Sequence, residues 1–349
     1  MPNIAVLTSG GDSPGMNAAV VSVARNAAAL NMPLLGIKRG YNGLLGLSEK
    51  PEDDFIHLDL NTFLDIADLP GTYLRTARCT EFMNPEVRAR AAKNLRAMDV
   101  AGLVVIGGDG SFNGAMRLCE LGIPCIGIPG TIDNDLAYTE MTLGYDTAVN
   151  VCVDAVRAIR ATSRSHDRPH VVEVMGRHCG DIALMTAAST GAEILVVPEV
   201  KWSVDGVAAQ LNRQLALGNT RATVVVAEGC WESMKPFDVY KFLQPYGKQV
   251  FPGEPMSSNR FASVLKRKCG MVEVRSTVVG YTQRGCTPTA RDSAFAFEAG
   301  AMAVHLLHAG VSNQVIGVKN GRTFHMPIDK ALASKRHFNR KLFNTINQL

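Results

Sequence analysis

Three short segments of this sequence combine glycine with aspartate: Ser9-Gly10-Gly11-Asp12-Ser13-Pro14-Gly15-Met16-Asn17, Gly107-Gly108-Asp109-Gly110-Ser111 and Pro129-Gly130-Thr131-Ile132-Asp133-Asn134-Asp135. Glycine lets backbone N–H groups approach an anion with no Cβ in the way, and a helix N-terminus that follows adds partial positive charge. Phosphate is the natural guest of such loops. Aspartates add what phosphoryl transfer needs, a metal holder and an acceptor for the attacking hydroxyl's proton. Asp109, hemmed by glycines, suits Mg²⁺. Asp133 and Asp135 lie two apart with Asn134 between them and share a face on an extended segment, so one can act as base while the other grips a substrate hydroxyl. Each feature also has an ordinary reading: a Gly-Gly pair makes a tight turn, and Asp-Asn-Asp makes a helix N-cap or Asx-turn. Three such loops in series, each with an aspartate, favour the ligand.

The familiar phosphate motifs are absent. No Gly-x-x-x-x-Gly-Lys-Ser/Thr occurs, which argues against a Walker-type NTPase, and the first loop reads Gly-Gly-x-x-x-Gly where a dinucleotide fingerprint needs Gly-x-Gly-x-x-Gly. His305 and His308 form no His-Glu-x-x-His pattern and have no partner spaced for zinc. The eight cysteines include no Cys-x-x-Cys, and several sit in apolar runs such as Ile123-Pro124-Cys125-Ile126. They read as reduced, buried cysteines of a cytoplasmic protein.

Around these loops, short β-branched runs alternate with longer helical periods. Ile4–Leu7 leads to a helix over Met16–Leu30, and Leu34–Ile37 is a second strand. Helix Pro85–Met98, strand Gly102–Ile106, helix Asn113–Leu121, strand Pro124–Ile128 and a long helix over Gly144–Ala161 follow. The second half repeats the alternation through Val171–Met175, Ile182–Thr190, Ile194–Val197, Val204–Leu217, Ala222–Ala227, Asn259–Lys268, Val272–Gly280 and Ser293–Ala309. Continuous apolar strands between helices imply parallel sheets covered on both faces. In such sheets the carboxyl ends of the strands share one edge, so the three loops converge on a crevice there. At 349 residues the chain is long enough for two α/β lobes.

Composition sets outer limits. Hydrophobic residues make up 46% and charged residues 19%, too apolar for disorder, and no apolar run approaches the ~18 residues of a membrane span. Ile4–Leu7 is too short and unflanked by basic residues to be a signal peptide. The net charge of +4 is spread along the chain, which argues against nucleic acid as a partner. The one basic cluster, Lys335-Arg336-His337 with Arg340-Lys341, reads as a solvated helix face.

The glycine loops resemble those of the 6-phosphofructokinase family, bacterial ATP-dependent type. The resemblance continues in order through Glu173-Val174-Met175-Gly176-Arg177-His178-Cys179-Gly180-Asp181, Val197-Pro198-Glu199-Val200, Glu228-Gly229 and Gly280-Tyr281-Thr282-Gln283-Arg284-Gly285, so it covers nearly the whole chain. It implies transfer of the ATP γ-phosphate to the 1-hydroxyl of fructose 6-phosphate, with Mg²⁺, in glycolysis. The implied fold is α/β, two similar three-layer lobes with mainly parallel sheets and the active site in the crevice between them. Residues 1–144 plus about 283–330 would form the nucleotide-binding lobe, and 145–282 plus about 331–349 the sugar-phosphate lobe.

Carried over by position, Asp133 is the catalytic base, Thr131, Ile132 and Asp135 are its companions at the sugar, and Asp109 holds Mg²⁺. Gly11, through its N–H, and Arg78 would stabilise the transferring phosphoryl group. Cys79, Gly108, Gly110, Ser111 and Gly114 would line the nucleotide side. Met175, Gly176, Arg177 and Glu228 would contact fructose 6-phosphate, with Arg168, Arg275, Tyr281 and Arg284 around its 6-phosphate. From the residues alone, Arg284 beside Gly285 at a strand end is a plausible phosphate clamp, whereas Arg168 and Arg275 read as surface residues. The resemblance further implies that these two reach a neighbouring subunit's site in a homotetramer.

Departures from the family pattern are also legible. Pyrophosphate-dependent relatives carry aspartate at the position of Gly110 and lysine at that of Gly130, so glycine at both favours ATP. Tyr281 stands where a histidine is usual, and Cys79 where an aromatic is usual. The stretch 231–257 is longer and richer in Pro and Gly than is typical. Of the residues that bind regulatory nucleotide diphosphate or phosphoenolpyruvate, Arg25, Arg160 and Glu193 match, but Val21, Leu60, Leu217 and Asn219 replace four cations. An anion site does not easily survive that loss. Competing readings are a pyrophosphate-dependent enzyme, a kinase of NAD or lipid using a Gly-Gly-Asp-Gly loop, and a regulatory subunit that binds sugar phosphate without turnover. The later Met-Gly-Arg and Gln-Arg-Gly segments oppose the second, and intact Asp109, Asp133 and Arg78 the third.

Overall fold

The computed structural model describes residues 2–46, 53–58, 64–234, 256–270 and 273–348. In chain order its elements are β1 (Asn3–Thr8), α1 (Met16–Ala29), β2 (Leu34–Ile37), α2 (Tyr41–Leu44), β3 (Phe55–His57), α3 (Pro85–Ala97), β4 (Val100–Gly107), α4 (Asp109–Glu120), β5 (Cys125–Pro129), α5 (Tyr145–His166) and β6 (His170–Val174). There follow α6 (Asp181–Thr190), β7 (Ile194–Val196), α7 (Val204–Ala216), β8 (Thr223–Ala227), α8 (Ser258–Lys268), β9 (Arg275–Val278), α9 (Ala290–His308), β10 (Gln314–Lys319), β11 (Arg322–Pro327), α10 (Ile328–Leu332) and α11 (Arg340–Ile346). Two compact units result, Met1–Thr147 with Arg284–His337, and Ala148–Gln283 with Phe338–Leu349.

The first unit is built on a seven-stranded sheet in the order β11-β10-β5-β4-β1-β2-β3. The five central strands run parallel, and β3 and β11 close the edges antiparallel. Strand β1 shows why its sequence is continuously apolar. Ile4 and Val6 enter the core under α1 and α9, while Ala5 and Leu7 enter a second core on the opposite face with Phe112 of α4 and Leu95 of α3. Alternate side chains of one strand thus serve two apolar layers, which leaves no face for polar residues. The chain passes from β1 outward to β2 and then returns to the other side of β1 as β4. That reversal is the point in an open parallel sheet where a crevice opens at the strands' carboxyl ends.

Several helices start on a side-chain cap. Asn84 accepts the N–H of Glu86 ahead of Pro85, and Ser203, Ser257 and Thr289 cap α7, α8 and α9 in the same way. The start of α5 is capped from another helix. Asp292 of α9, fully buried, accepts the N–H of Gly144 at 2.9 Å and the N–H and hydroxyl of Thr147 at 2.8 and 2.6 Å. These bonds satisfy N–H groups that a helix start leaves without intrahelical partners.

The second unit has a four-stranded, all-parallel sheet in the order β7-β8-β6-β9. Val224, Val225, Val226 and Ala227 of β8 are fully buried in it. Strand β9 lies at the sheet's edge and spans only Arg275–Val278, shorter than the expected Val272–Gly280. A 3₁₀ turn, Gly280–Gln283, follows it, with Gly280 at φ +57°. Arg284 therefore follows a turn, not a strand. No helix among the described residues is long and apolar enough to cross a membrane. Residue 60 and most of 231–257, on which two sequence expectations fell, lie outside the described residues.

Candidate active site

In the first unit, the loops after β1, β4 and β5 meet at the sheet's carboxyl edge. The N–H of Gly130 donates to the carbonyl of Gly107 at 3.0 Å, and a Cβ on Gly107 would lie 2.7 Å from the carbonyl of Ser9. A fourth segment joins them. Thr8 Oγ1 donates to the carbonyl of Arg75 at 2.8 Å, Thr76 Oγ1 to that of Gly10 at 3.0 Å, and the Gly10 N–H to that of Ala77 at 3.4 Å. Arg78, the next residue and exposed, is thereby carried to the Gly10-Gly11 loop. Arg284 lies across the same loop, its Nη1 donating to the carbonyl of Asp12 at 2.8 Å. A Cβ on Gly11 would come within 2.9 Å of that Nη1, so glycine here makes room for a guanidinium.

The loop after β4 is a helix start. Helix α4 begins at Asp109 rather than Asn113, with the carbonyl of Gly108 accepting the N–H groups of Ser111 and Phe112. Asp109 and Gly110 occupy its first turn, where backbone N–H groups point outward and favour an anion. A Cβ on Gly108 or Gly110 would meet no described atom within 4 Å. Gly114 differs, because a Cβ there would lie 2.7 Å from the Tyr41 ring. Tyr41 is buried, donates from its hydroxyl to the carbonyl of Ser111 at 2.5 Å, and stacks on Phe82 at 4.2 Å between centroids. Burial pushes the phenol well above its ordinary pKa, so it stays a donor. Sequence reasoning missed Tyr41, although its place just after β2 and Gly40 was the available signal.

The loop after β5 carries the two aspartates. No helix follows Asp133 or Asp135 directly, so neither is a helix cap. Asn134 takes left-handed backbone, φ +53°, and its Oδ1 accepts the N–H of Thr142 at 3.1 Å. That turn replaces the expected extended segment, so strand alternation does not align the two carboxylates. Asp133 is 8% exposed, and its N–H donates to Thr131 Oγ1 at 3.2 Å. Farther along, Tyr138 donates to the carbonyl of Ile316 at 2.9 Å and Thr139 Oγ1 accepts the N–H of Val318 at 2.9 Å, which docks the loop on β10.

Asp109 senses the charge of Asp135. Asp109 reaches solvent, yet partial desolvation and, second, the charge of Asp135 hold its carboxyl above the ordinary carboxylate range. A divalent cation there would relieve both effects, so the residues fit Mg²⁺. Among the described residues no group of three or more His, Cys, Asp or Glu is arranged to hold a metal by itself.

Gly130 has a different reason from the one expected. A Cβ there would lie 2.8 Å from Met16 Cε and 3.0 Å from Ile106 Cγ2, so its bare backbone makes room for the core and not for phosphate. Gly130→Ala is expected to destabilise the protein by about 1–3 kcal/mol, the usual cost of overpacking, read as a lower denaturation midpoint. An unchanged midpoint would show that Met16 gives way freely.

In the second unit, the segment after β6 is tightly bound. Gly176 has φ +132°, and Arg177, not a glycine, has φ +51°. Glu228 Oε1 accepts the N–H of Arg177 at 2.9 Å, and a Cβ on Gly229 would fall 1.9 Å from the carbonyl of Arg177. Met175, Gly176, Arg177 and Glu228 are thus one local assembly. Arg168 and Arg275 are also brought together, both ion-paired to Glu273, the former at 2.9 Å. Their charges, after burial, push His170 down to about 4, and its Nε2 lies 2.8 Å from Thr277 Oγ1. Tyr281 is 83% exposed.

The residues compared with a regulatory site fall in both units. Val21 is fully buried in α1, and Arg25 lies over the Phe297 ring. In the second unit Arg160 makes a two-pronged pair with Glu193 at 2.9 and 3.1 Å, and Asn219 donates to the same carboxylate at 3.3 Å. A cavity of about 230 Å³ there is also lined by Arg164 and Arg221, which the sequence comparison left out.

The Phosphofructokinase family model matches residues 3–307. ATP-dependent 6-phosphofructokinases of Clostridium botulinum (strain Hall) and Paenibacillus macquariensis are each 43% identical, over 344 and 346 residues, covering 99% of this chain and 98% of theirs. Among solved structures, phosphofructokinase from Saccharomyces cerevisiae aligns with a TM-score of 0.79 at 31% identity, and the T-state enzyme of Pichia pastoris with 0.82 at 30%. Each alignment covers 95% of this chain, which spans 45% and 36% of those longer chains. A pyrophosphate-dependent phosphofructokinase from Marinobacter aquaeolei shares the fold, with a TM-score of 0.79 at 19% identity.

Proposed function

Since the chain belongs to the phosphofructokinase family, we propose that it transfers the γ-phosphate of ATP to the 1-hydroxyl of fructose 6-phosphate, giving fructose 1,6-bisphosphate and ADP. The observation that carries this reading is the gathering of Asp133, Asp109 and Asp135 with the glycine loops at the switch point of the first unit's sheet. The names of the curated relatives and the open space at Gly110 support ATP as the donor.

Each residue then has a physical task. Asp133, largely buried, takes the proton from the 1-hydroxyl as the oxygen attacks phosphorus. The Gly11 N–H and the Arg78 guanidinium meet negative charge on the transferring oxygens, and the amides of the α4 first turn hold the inner phosphates. Mg²⁺, held by Asp109 and the nucleotide's phosphates, would supply neutralising charge at the transferring group. Met175, Gly176, Arg177 and Glu228 bind the sugar, and Arg284 takes its 6-phosphate. The first unit is the nucleotide-binding lobe and the second the sugar-phosphate lobe. Arg275, exposed on the edge strand β9, and Arg168, half-buried just ahead of β6, serve a neighbouring subunit in a homotetramer. The protein works in the cytoplasm, in keeping with eight free cysteines.

A coupled assay for fructose 1,6-bisphosphate tests the reading. Turnover is expected with ATP and not with pyrophosphate. Turnover with pyrophosphate alone would overturn the donor, and none with either would overturn the reaction.

The loss of cations at Val21, Leu60, Leu217 and Asn219 supports an enzyme deaf to the usual effectors. At fixed ATP and subsaturating fructose 6-phosphate, ADP or phosphoenolpyruvate is expected to leave the rate unchanged. A several-fold change would overturn that reading.

A further inference from the structure

Gln283 lies inside the Gly280-Tyr281-Thr282-Gln283-Arg284-Gly285 run, and none of the tasks above uses it. Its side chain is fully buried in the second unit. A buried amide is costly unless its polar atoms find partners. Here Oε1 accepts the N–H of Met175 at 3.2 Å and the thiol of Cys152 at 3.0 Å, and Nε2 donates to the carbonyl of Gly280 at 3.0 Å. The partners fix the amide's direction, because the opposite orientation would set N–H against N–H at Met175 and oxygen against oxygen at Gly280.

Met175 needs this partner because of where it stands. The ladder between β6 and β9 ends at Glu173, whose carbonyl accepts the N–H of Val279 at 3.0 Å. One residue beyond β6, the Met175 N–H has left the sheet, and the backbone then enters the positive φ of Gly176 and Arg177. Such conformations persist only when their surroundings hold them. Glu228 holds the middle of the segment through the Arg177 N–H, and Gln283 holds its entrance.

We propose that Gln283 is a positioning residue for sugar-phosphate binding: its side-chain oxygen fixes the backbone at Met175, and thereby the direction in which Met175, Gly176 and Arg177 meet the substrate. The inference rests on the assignment of those three residues to fructose 6-phosphate. Cys152, whose thiol burial pushes up to about 12, remains a neutral donor to the same oxygen and serves as a control.

Gln283→Met keeps length and removes all three bonds. It is expected to raise KM for fructose 6-phosphate ~10-fold or more, with kcat within ~3-fold and KM for ATP unchanged, the pattern of lost binding without lost chemistry. Amide hydrogen exchange across residues 174–180 is expected to quicken ~10-fold while the β8 core stays protected. Cys152→Ala is expected to leave KM within ~2-fold, as loss of one of two donors leaves the Met175 bond intact. If the methionine variant does not fold, Gln283→Glu decides: burial keeps its carboxyl neutral, with its carbonyl oxygen accepting from Met175 and its hydroxyl donating to Gly280, and KM is expected near the wild-type value. Unchanged exchange and unchanged KM in Gln283→Met would overturn the proposal, as would a Gln283→Glu variant with KM raised tenfold, or a uniform loss of kcat and of both affinities. Wild-type protein without turnover of fructose 6-phosphate would overturn the assigned reaction instead, and the exchange measurement would still decide whether Gln283 fixes Met175.

Discussion

Replacing Asp133 by serine is expected to lower kcat by ~10²–10⁴-fold, the range for losing a general base, with little change in KM for fructose 6-phosphate. The fold should tolerate the change. The turn at Asp133 is closed by its own backbone N–H on Thr131 Oγ1 and by Asn134 on Thr142, and both bonds survive the substitution. A melting temperature near the wild-type value would accompany the lost rate. Steady-state kinetics at saturating ATP check the point, and an unchanged kcat would remove Asp133 from the chemistry.

The second large effect is expected from Gly110→Asp. Gly110 lies in the first turn of α4, with no described atom within 4 Å of a Cβ placed there. An acidic residue in a helix's first turn is favourable, so stability should hold or rise slightly. Activity should not hold if, as proposed, the first turn of α4 holds the nucleotide's inner phosphates, because a second carboxylate beside Asp109 would then face them. Like charges ~4 Å apart near a protein surface repel by about 4 kcal/mol, so kcat/KM for ATP is expected to fall ~10²–10³-fold. A fall of less than ~3-fold would mean that the nucleotide does not pass Gly110. Gly130, the other glycine tied to donor choice, is closed by Met16 and Ile106, so the first turn of α4 alone offers open space.

The central strands and the convergence of three loops were legible because continuous apolar runs and Gly-Asp segments are local patterns. Strand β1 could be read as buried on both faces from Ile4-Ala5-Val6-Leu7 alone. The β10–β11 hairpin was equally legible, since Asn320-Gly321 sits between its strands and Asn-Gly is a strong hairpin signal. It went unread, and with it the support that Tyr138 and Thr139 give the Asp133 loop. The start of α4 was placed four residues late because Gly and Asp are poor helix formers, yet they suit a first turn whose N–H groups face a ligand.

Other features could not be read from sequence at all. That Gly130 clears Met16, that Gly114 clears Tyr41 and that Gly11 clears Arg284 are contacts between distant segments. Glycine looks the same whether it admits a phosphate or a neighbouring side chain. Arg168 and Arg275, which read as isolated surface residues, are joined by Glu273, and only the pairing of β6 with β9 brings them together.

The central claim is phosphoryl transfer from ATP to one particular hydroxyl. The most direct measurement is phosphorus NMR of the product formed from fructose 6-phosphate and ATP labelled with heavy oxygen in its γ-phosphate. The account predicts fructose 1,6-bisphosphate with the label in the 1-phosphate and an equal amount of ADP. Label released as free phosphate, or found at another position on the sugar, would contradict it.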